Sequence, residues 1–241
     1  QVMEMPARGT PPAYDRIFDG RLFFSRDGQH LAYGGQREGK WYVVLDGKEV
    51  GGPHDFLGDV TGIQMTADAG RLAYAALSGQ QWQVVLDGKP QPACENVAQF
   101  CFSPDGKRTA YVAKREGRFR AIVDGEEQKP YNMIADNKLM FSPDGATLAY
   151  VASTQGRWLA VVGDKEGRLC DSIGQALFSP DGAHFAYVSE ISGAQMVVLD
   201  GRDQRVFDLV GDGTLTFSPD GKRLGYIARV GQASFVVVDG K

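Results

Sequence analysis

The chain has 241 residues, 43% of them hydrophobic and 23% charged, with a formal charge of −4, enough length to bury a sizeable core without disulfides or metals. The mild acidity and the absence of any Lys/Arg run exclude the electrostatic footprint of a nucleic-acid binder, and the apolar bursts of three to five residues fall far short of the roughly 18 that would span a bilayer. Cys94, Cys101 and Cys170 show neither CxxC nor Cys/His spacing, so free buried thiols are expected rather than a zinc site or disulfide framework.

In chain order, the first element is Tyr14-Asp15-Arg16-Ile17, followed by Leu22 to Ser25 and the turn Ser25-Arg26-Asp27-Gly28. The same turn returns as Ser103-Pro104-Asp105-Gly106, Ser142-Pro143-Asp144-Gly145, Ser179-Pro180-Asp181-Gly182 and Ser218-Pro219-Asp220-Gly221, with Thr66-Ala67-Asp68-Ala69 as a decayed copy. A Tyr stands eight residues after each Ser or Thr (Tyr33, Tyr74, Tyr111, Tyr150, Tyr187, Tyr226), and thirteen residues later comes a second turn, Asp-Gly in five copies and Gly163-Asp164 in the other. Pro presets φ, Gly tolerates φ > 0 and Asp-Gly closes hairpins, so each unit reads as consecutive antiparallel strands: one before the Ser turn, one around the Tyr, and one such as Trp41 to Leu45.

A weaker motif, seen as His54-Asp55-Phe56-Leu57, Cys94-Glu95-Asn96-Val97, Tyr131-Asn132-Met133-Ile134, Cys170-Asp171-Ser172-Ile173 and Phe207-Asp208-Leu209-Val210, is read as the fourth strand of each unit. Only five copies follow a third strand. Tyr14-Asp15-Arg16-Ile17 matches the pattern, which predicts that residues 14–18 pair with Phe235 to Val238 as the outermost strand of the last unit. The expected fold is all-β: a six-bladed β-propeller of four-stranded antiparallel blades, its ring closed by the N-terminal strand. Residues 10–241 would form this single domain and residues 1–9 a tail or linker.

The Phe-Ser-Pro-Asp-Gly units with their Leu-Ala-Tyr-Val strands resemble the WD-type repeats of TolB-like β-propellers from Tyr14 to Lys241. The resemblance implies the propeller fold, and among locations it favours an extracytoplasmic one. It also implies a choice of roles, since such repeats serve as scaffolds and as accessory domains of hydrolases. The chain starts at Gln1 without an apolar leader, which leaves a removed signal peptide or a further domain open.

Catalytic candidates are few. His30 and His184 share one repeat position and His54 begins the fourth motif, so all three are read as surface or rim residues, while a Ser that recurs in five turns is a turn residue. Asp19, Asp59, Asp136 and Asp212 share a position that reads Gln99 and Gln175 in the two copies with shorter links, which marks Asp as a turn former, with a cation site as the alternative. Trp41, Trp82, Phe119 and Trp158 head the third strands and suggest packing between units, or else a grip on a sugar or peptide. The loop before them carries Arg37, Arg115, Arg118 and Arg157, and the residue opening the first strand includes Arg21, Gln99, Lys138 and Gln175. Together these eight predict a positive axial rim for a protein, peptide or small anionic ligand. The expected function is a non-catalytic, monomeric binding module without cofactor or metal. The alternatives are a propeller hydrolase or lactonase, or the accessory propeller of a larger hydrolase.

Overall fold

The computed structural model describes residues 13–58 and 62–241; the expected tail at residues 1–9 lies outside them. The described residues contain six antiparallel sheets and no helix. By backbone contacts they group into two compact units, one ending at Ala93 and one running from Cys94 to Lys241.

The first unit holds two sheets. One consists of Arg16–Phe24, Leu31–Arg37, Lys40–Leu45 and Lys48–His54. The other consists of Phe56–Leu57 and Ile63–Met65, which together form a split first strand, then Leu72–Ser78, Gln81–Leu86 and Lys89–Pro90. Phe18, Trp41, Leu57 and Tyr74 pack between them in one buried cluster. Edge-on contacts Phe18–Trp41 and Phe56–Trp82 put the expected aromatics to use in packing.

The second unit repeats the pattern four times. Its second strands, Thr109–Arg115, Leu148–Thr154, Phe185–Ile191 and Leu224–Val230, lie at the centre of each sheet. The third strands are Arg118–Val123, Arg157–Val162, Ala194–Leu199 and Ala233–Val238. One cluster built on Val112, Tyr131, Ile134 and Tyr150 joins the third and fourth sheets of the chain, and others join the fourth to the fifth and the fifth to the sixth.

The Ser turn is a small hydrogen-bonded device. Ser142 Oγ donates to Asp144 Oδ1 and accepts from Thr147 N–H at 2.9 Å, while Asp144 Oδ1 also accepts from Ala146 N–H at 3.0 Å. Ser103, Ser179 and Ser218 repeat it. Thr66 and Asp68 do so without Pro or Gly, with Ala69 taking the positive φ of 48°. The recurring Ser is therefore committed to its turn. Gly221 serves twice: its φ is +75°, and a Cβ there would stand 2.7 Å from the Asp181 carboxylate of the preceding turn.

The fourth motif is placed differently from its sequence reading. Asp-Gly reverses the chain within two residues, so the fourth strand begins directly after it, at Lys48, Lys89, Glu126, Lys165 or Arg202. The motif marks the crossing to the next sheet. Tyr131 and Cys170 make the last bridges to Phe119 and Trp158, and the following residue locks onto the next sheet. Asp171 N–H donates to Glu190 O, and its carboxylate accepts from Ser192 N–H at 2.6 Å.

Asp15 does the same, donating to Gln36 O and accepting from Glu38 N–H, and Arg16 and Ile17 pair with Gln36 and Gly35. The expected pairing of residues 14–18 with Phe235 to Val238, and ring closure through it, is thus corrected: this segment opens the first sheet. Among the described residues the sixth sheet has no strand beyond Ala233–Val238, and Val236 there is 75% exposed.

None of the three cysteines is bridged by a disulfide; burial raises their pKa values, that of Cys101 to about 12, which suppresses the reactive thiolate. Three groups should titrate in denaturant under non-reducing conditions, with Cys101 reacting slowly in the native protein. A count of one would refute this.

Candidate functional site

The eight expected rim residues divide by what holds them. Gln99 and Gln175 act as staples between sheets. Gln175 Nε2 donates to Leu215 O at 2.7 Å and its Oε1 accepts from Leu215 N–H at 3.1 Å. Gln99 donates to Ala135 O at 2.9 Å and accepts from Lys138 and Leu139 N–H at 3.2 Å. Each amide stands in for a strand neighbour along the longer link of the next sheet. That complementarity explains why the Gln copies are the short ones. Lys138 Nζ donates to Gly174 O at 2.9 Å, which ties it to the fifth sheet, and Arg21 is exposed on the first sheet.

The arginines are held by carboxylates and carbonyls. Arg37 pairs with Glu49 at 2.9 Å and lies over the Tyr42 ring. In the second unit Arg115 pairs with Glu127, Arg157 Nη2 lies 3.3 Å from Asp171, and Arg118 Nη2 donates to Pro130 O at 3.2 Å. Lys114–Glu95 and Arg120–Glu116 add further pairs. A positive rim was expected because cations were counted without the acids that reach them. The structure places both signs together, so this end of the third and fourth sheets is charge-balanced. Arg118 and Arg157 occupy equivalent positions at the start of their third strands, and each has a buried Nε with no hydrogen-bond partner.

Of the Asp alternatives for a cation, Asp59 and the side chain of Asp19 lie outside the described residues, and Asp136 and Asp212 are exposed. Among the described residues no three His, Cys, Asp or Glu side chains come together as a metal site would require.

Two features escaped sequence reasoning. One is a ladder linking the residue before each second strand to the Asp of the following turn: His30–Asp46 at 2.7 Å, Arg71–Asp87 at 3.1 Å, Arg108–Asp124 at 2.8 Å, His184–Asp200 at 2.7 Å and Arg223–Asp239 at 2.9 Å. Its constant 16-residue spacing was legible. It accounts for two of the three histidines, and Asp46 raises the pKa of His30. In the fourth sheet Thr147 and Gly163 replace both members, and a cavity of about 450 Å³ opens beside them, walled also by Phe185 and Tyr187.

The other feature is the neighbour of the repeated Tyr, which in the second and sixth sheets is the last residue of the preceding fourth strand. In the first unit this neighbour is His54, whose Nε2 lies 3.1 Å from Tyr74 Oη and whose Nδ1 lies 3.3 Å from Ser78 Oγ. Burial lowers the pKa of His54 and favours its neutral form. The strand leading to it bulges twice through Gly51, where a Cβ would fall 1.8 Å from Tyr74 Oη. A cavity of about 520 Å³ lies alongside.

No protein-family model and no curated protein matches the chain. Among solved structures, one described as a eukaryotic initiation factor aligns at a TM-score of 0.52 and 15% identity, covering 90% of this chain and 62% of that one. This chain thus spans less than two thirds of that structure. A putative TolB from Agrobacterium tumefaciens aligns at 0.43 and 20% identity, covering 90% and 88%, and a Dos1 propeller at 0.42 and 13%, covering 93% and 76%. Likeness at such identity concerns the fold alone; the repeated antiparallel sheets without a helix among the described residues are those of an all-β propeller.

Proposed function

We propose that the chain is a binding module that takes a protein or peptide at the end of the third and fourth sheets carrying Arg115, Arg118 and Arg157. The observation that carries this reading is the charge arrangement: Arg115–Glu127, Arg120–Glu116 and Arg157–Asp171 set alternating signs on adjoining sheets. Fixed charges of both signs complement an extended partner that also presents both, and they select its register. A small anion would meet as many carboxylates as guanidinium groups.

The test is an array of mixed-charge peptides followed by calorimetry on the best binders. R118A/R157A should weaken them at least about tenfold, since removing the Arg157 member of its pair with Asp171 and the Arg118 charge held by Pro130 O at an interface costs about 2 kcal/mol or more, and added salt should weaken binding to the unsubstituted protein. Unchanged affinity in the double variant would overturn the reading, as would full competition by citrate or glutamate.

The hydrolase alternative has one observation in its favour, the Ser78–His54–Tyr74 chain beside a cavity. A neutral imidazole that donates from Nε2 to Tyr74 could accept the Ser78 proton at Nδ1. A fluorophosphonate probe should then label Ser78, and H54A should abolish the labelling. No labelling removes this alternative.

A further inference from the structure

Among the described residues, the second unit contains one buried hydroxyl with no hydrogen-bond partner. Tyr226 is 3% exposed and its Oη makes no hydrogen bond. Its counterpart Tyr74 is served by His54. Here the residue at the serving position is Phe207, whose ring meets Tyr226 edge-on at 6.0 Å and can neither donate nor accept. A phenylalanine at 226 would avoid the desolvation cost of an unpaired hydroxyl.

Tyr226 lines a gap of about 220 Å³ between the fifth and sixth sheets. Leu199, Phe217 and Leu224 form its apolar wall, and Gln204, Lys222 and Asp239 bring polar groups to it. The carboxylates there are already engaged: Asp239 pairs with Arg223 and Asp200 with His184, while Lys222 is exposed at the mouth. The gap is smaller than the roughly 300 Å³ at which pockets for drug-sized ligands begin. The unpartnered phenol stands with the Gln204 amide, whose Nε2 reaches Arg202 O at 3.4 Å, the Asp239 carboxylate, which accepts from Arg223 and from Leu224 N–H, and the apolar wall. Sugar hydroxyls both donate and accept, and a sugar ring adds a C–H face for the apolar side.

We propose that this gap binds a monosaccharide-sized, uncharged polyhydroxylated ligand whose hydroxyl completes the hydrogen bonding of Tyr226. This site is separate from the arginine-bearing surface. The test is saturation-transfer NMR and calorimetry on the whole chain with methyl glucoside, methyl galactoside and myo-inositol, using galacturonate and glucosamine as charged controls. At least one neutral compound should bind. Y226F should weaken it about tenfold while leaving the melting temperature unchanged or higher, because the variant deletes only the unpaired hydroxyl; Q204A should weaken it as well, and R118A/R157A should not. The proposal is overturned if no neutral compound binds at millimolar concentration, if Y226F binds as tightly as the parent, or if only the charged controls bind.

Discussion

Replacing Gln175 with Ala lowers stability by about 2–4 kcal/mol, because it strips Leu215 of partners for both N–H and C=O, each worth about 1–3 kcal/mol when left buried and unsatisfied. Leu215 is 1% exposed, and the Gln175 amide serves both groups at 3.1 and 2.7 Å. Q175E should be about as damaging: one carboxylate oxygen still accepts from Leu215 N–H, but the other faces Leu215 O without a proton to donate. Q99A should fall in the same range through Ala135 O and the N–H groups of Lys138 and Leu139. Urea denaturation of the three variants measures this. A stability equal to that of the parent would return both glutamines to the role of ligand contacts.

Acid should unfold the protein through its repeated turns. Asp27, Asp68, Asp105, Asp144, Asp181 and Asp220 all have pKa values below the ordinary carboxylate value. In five of them the first cause is the hydroxyl donated by the turn Ser, followed by a backbone N–H; in Asp68 the N–H of Gly70 comes first and the Thr66 hydroxyl second. A carboxyl group whose folded pKa is depressed binds fewer protons folded than unfolded. Its contribution is present above the unfolded value, about 3.9 for Asp, and is lost as pH falls through the folded value. The urea midpoint should therefore hold from pH 7 to about 5 and drop steeply below about 4, as expected of native hydrogen-bonded carboxylates. S142A should soften the drop by removing the donor that holds Asp144 down. A midpoint that stays level to pH 3 would contradict the assignment.

The exposed ladder works in the opposite direction at higher pH. Asp46 raises the pKa of His30, so its small contribution is full below the ordinary histidine value and disappears as pH rises through the raised folded value. This exposed pair is screened by solvent and does not rival the acid transition.

What the sequence determined by itself is the repeat: the Ser turns, the Asp-Gly hairpins, the central strand around each Tyr and the all-β class. These signals are local. The Ser142–Asp144 device closes within six residues and Asp-Gly within two, so the residues that cause each turn stand beside it. The 16-residue ladder was equally regular. Its partners lie at opposite ends of a hairpin, and spacing between unlike residue types shows less readily than a repeated word. Tertiary structure alone decided which sheet each segment joined. Tyr14-Asp15-Arg16-Ile17 looks the same whether it ends one sheet or opens the next, and the choice rests on where Gln36 and Glu38 stand. The same holds for Gln99 and Gln175, whose partners lie up to 40 residues away in links with no common pattern. It holds for the arginines too, because a cation's net effect depends on the acid that reaches it. The bare hydroxyl of Tyr226 arises where Phe207, 19 residues earlier, fills a position that His54 fills in the first unit.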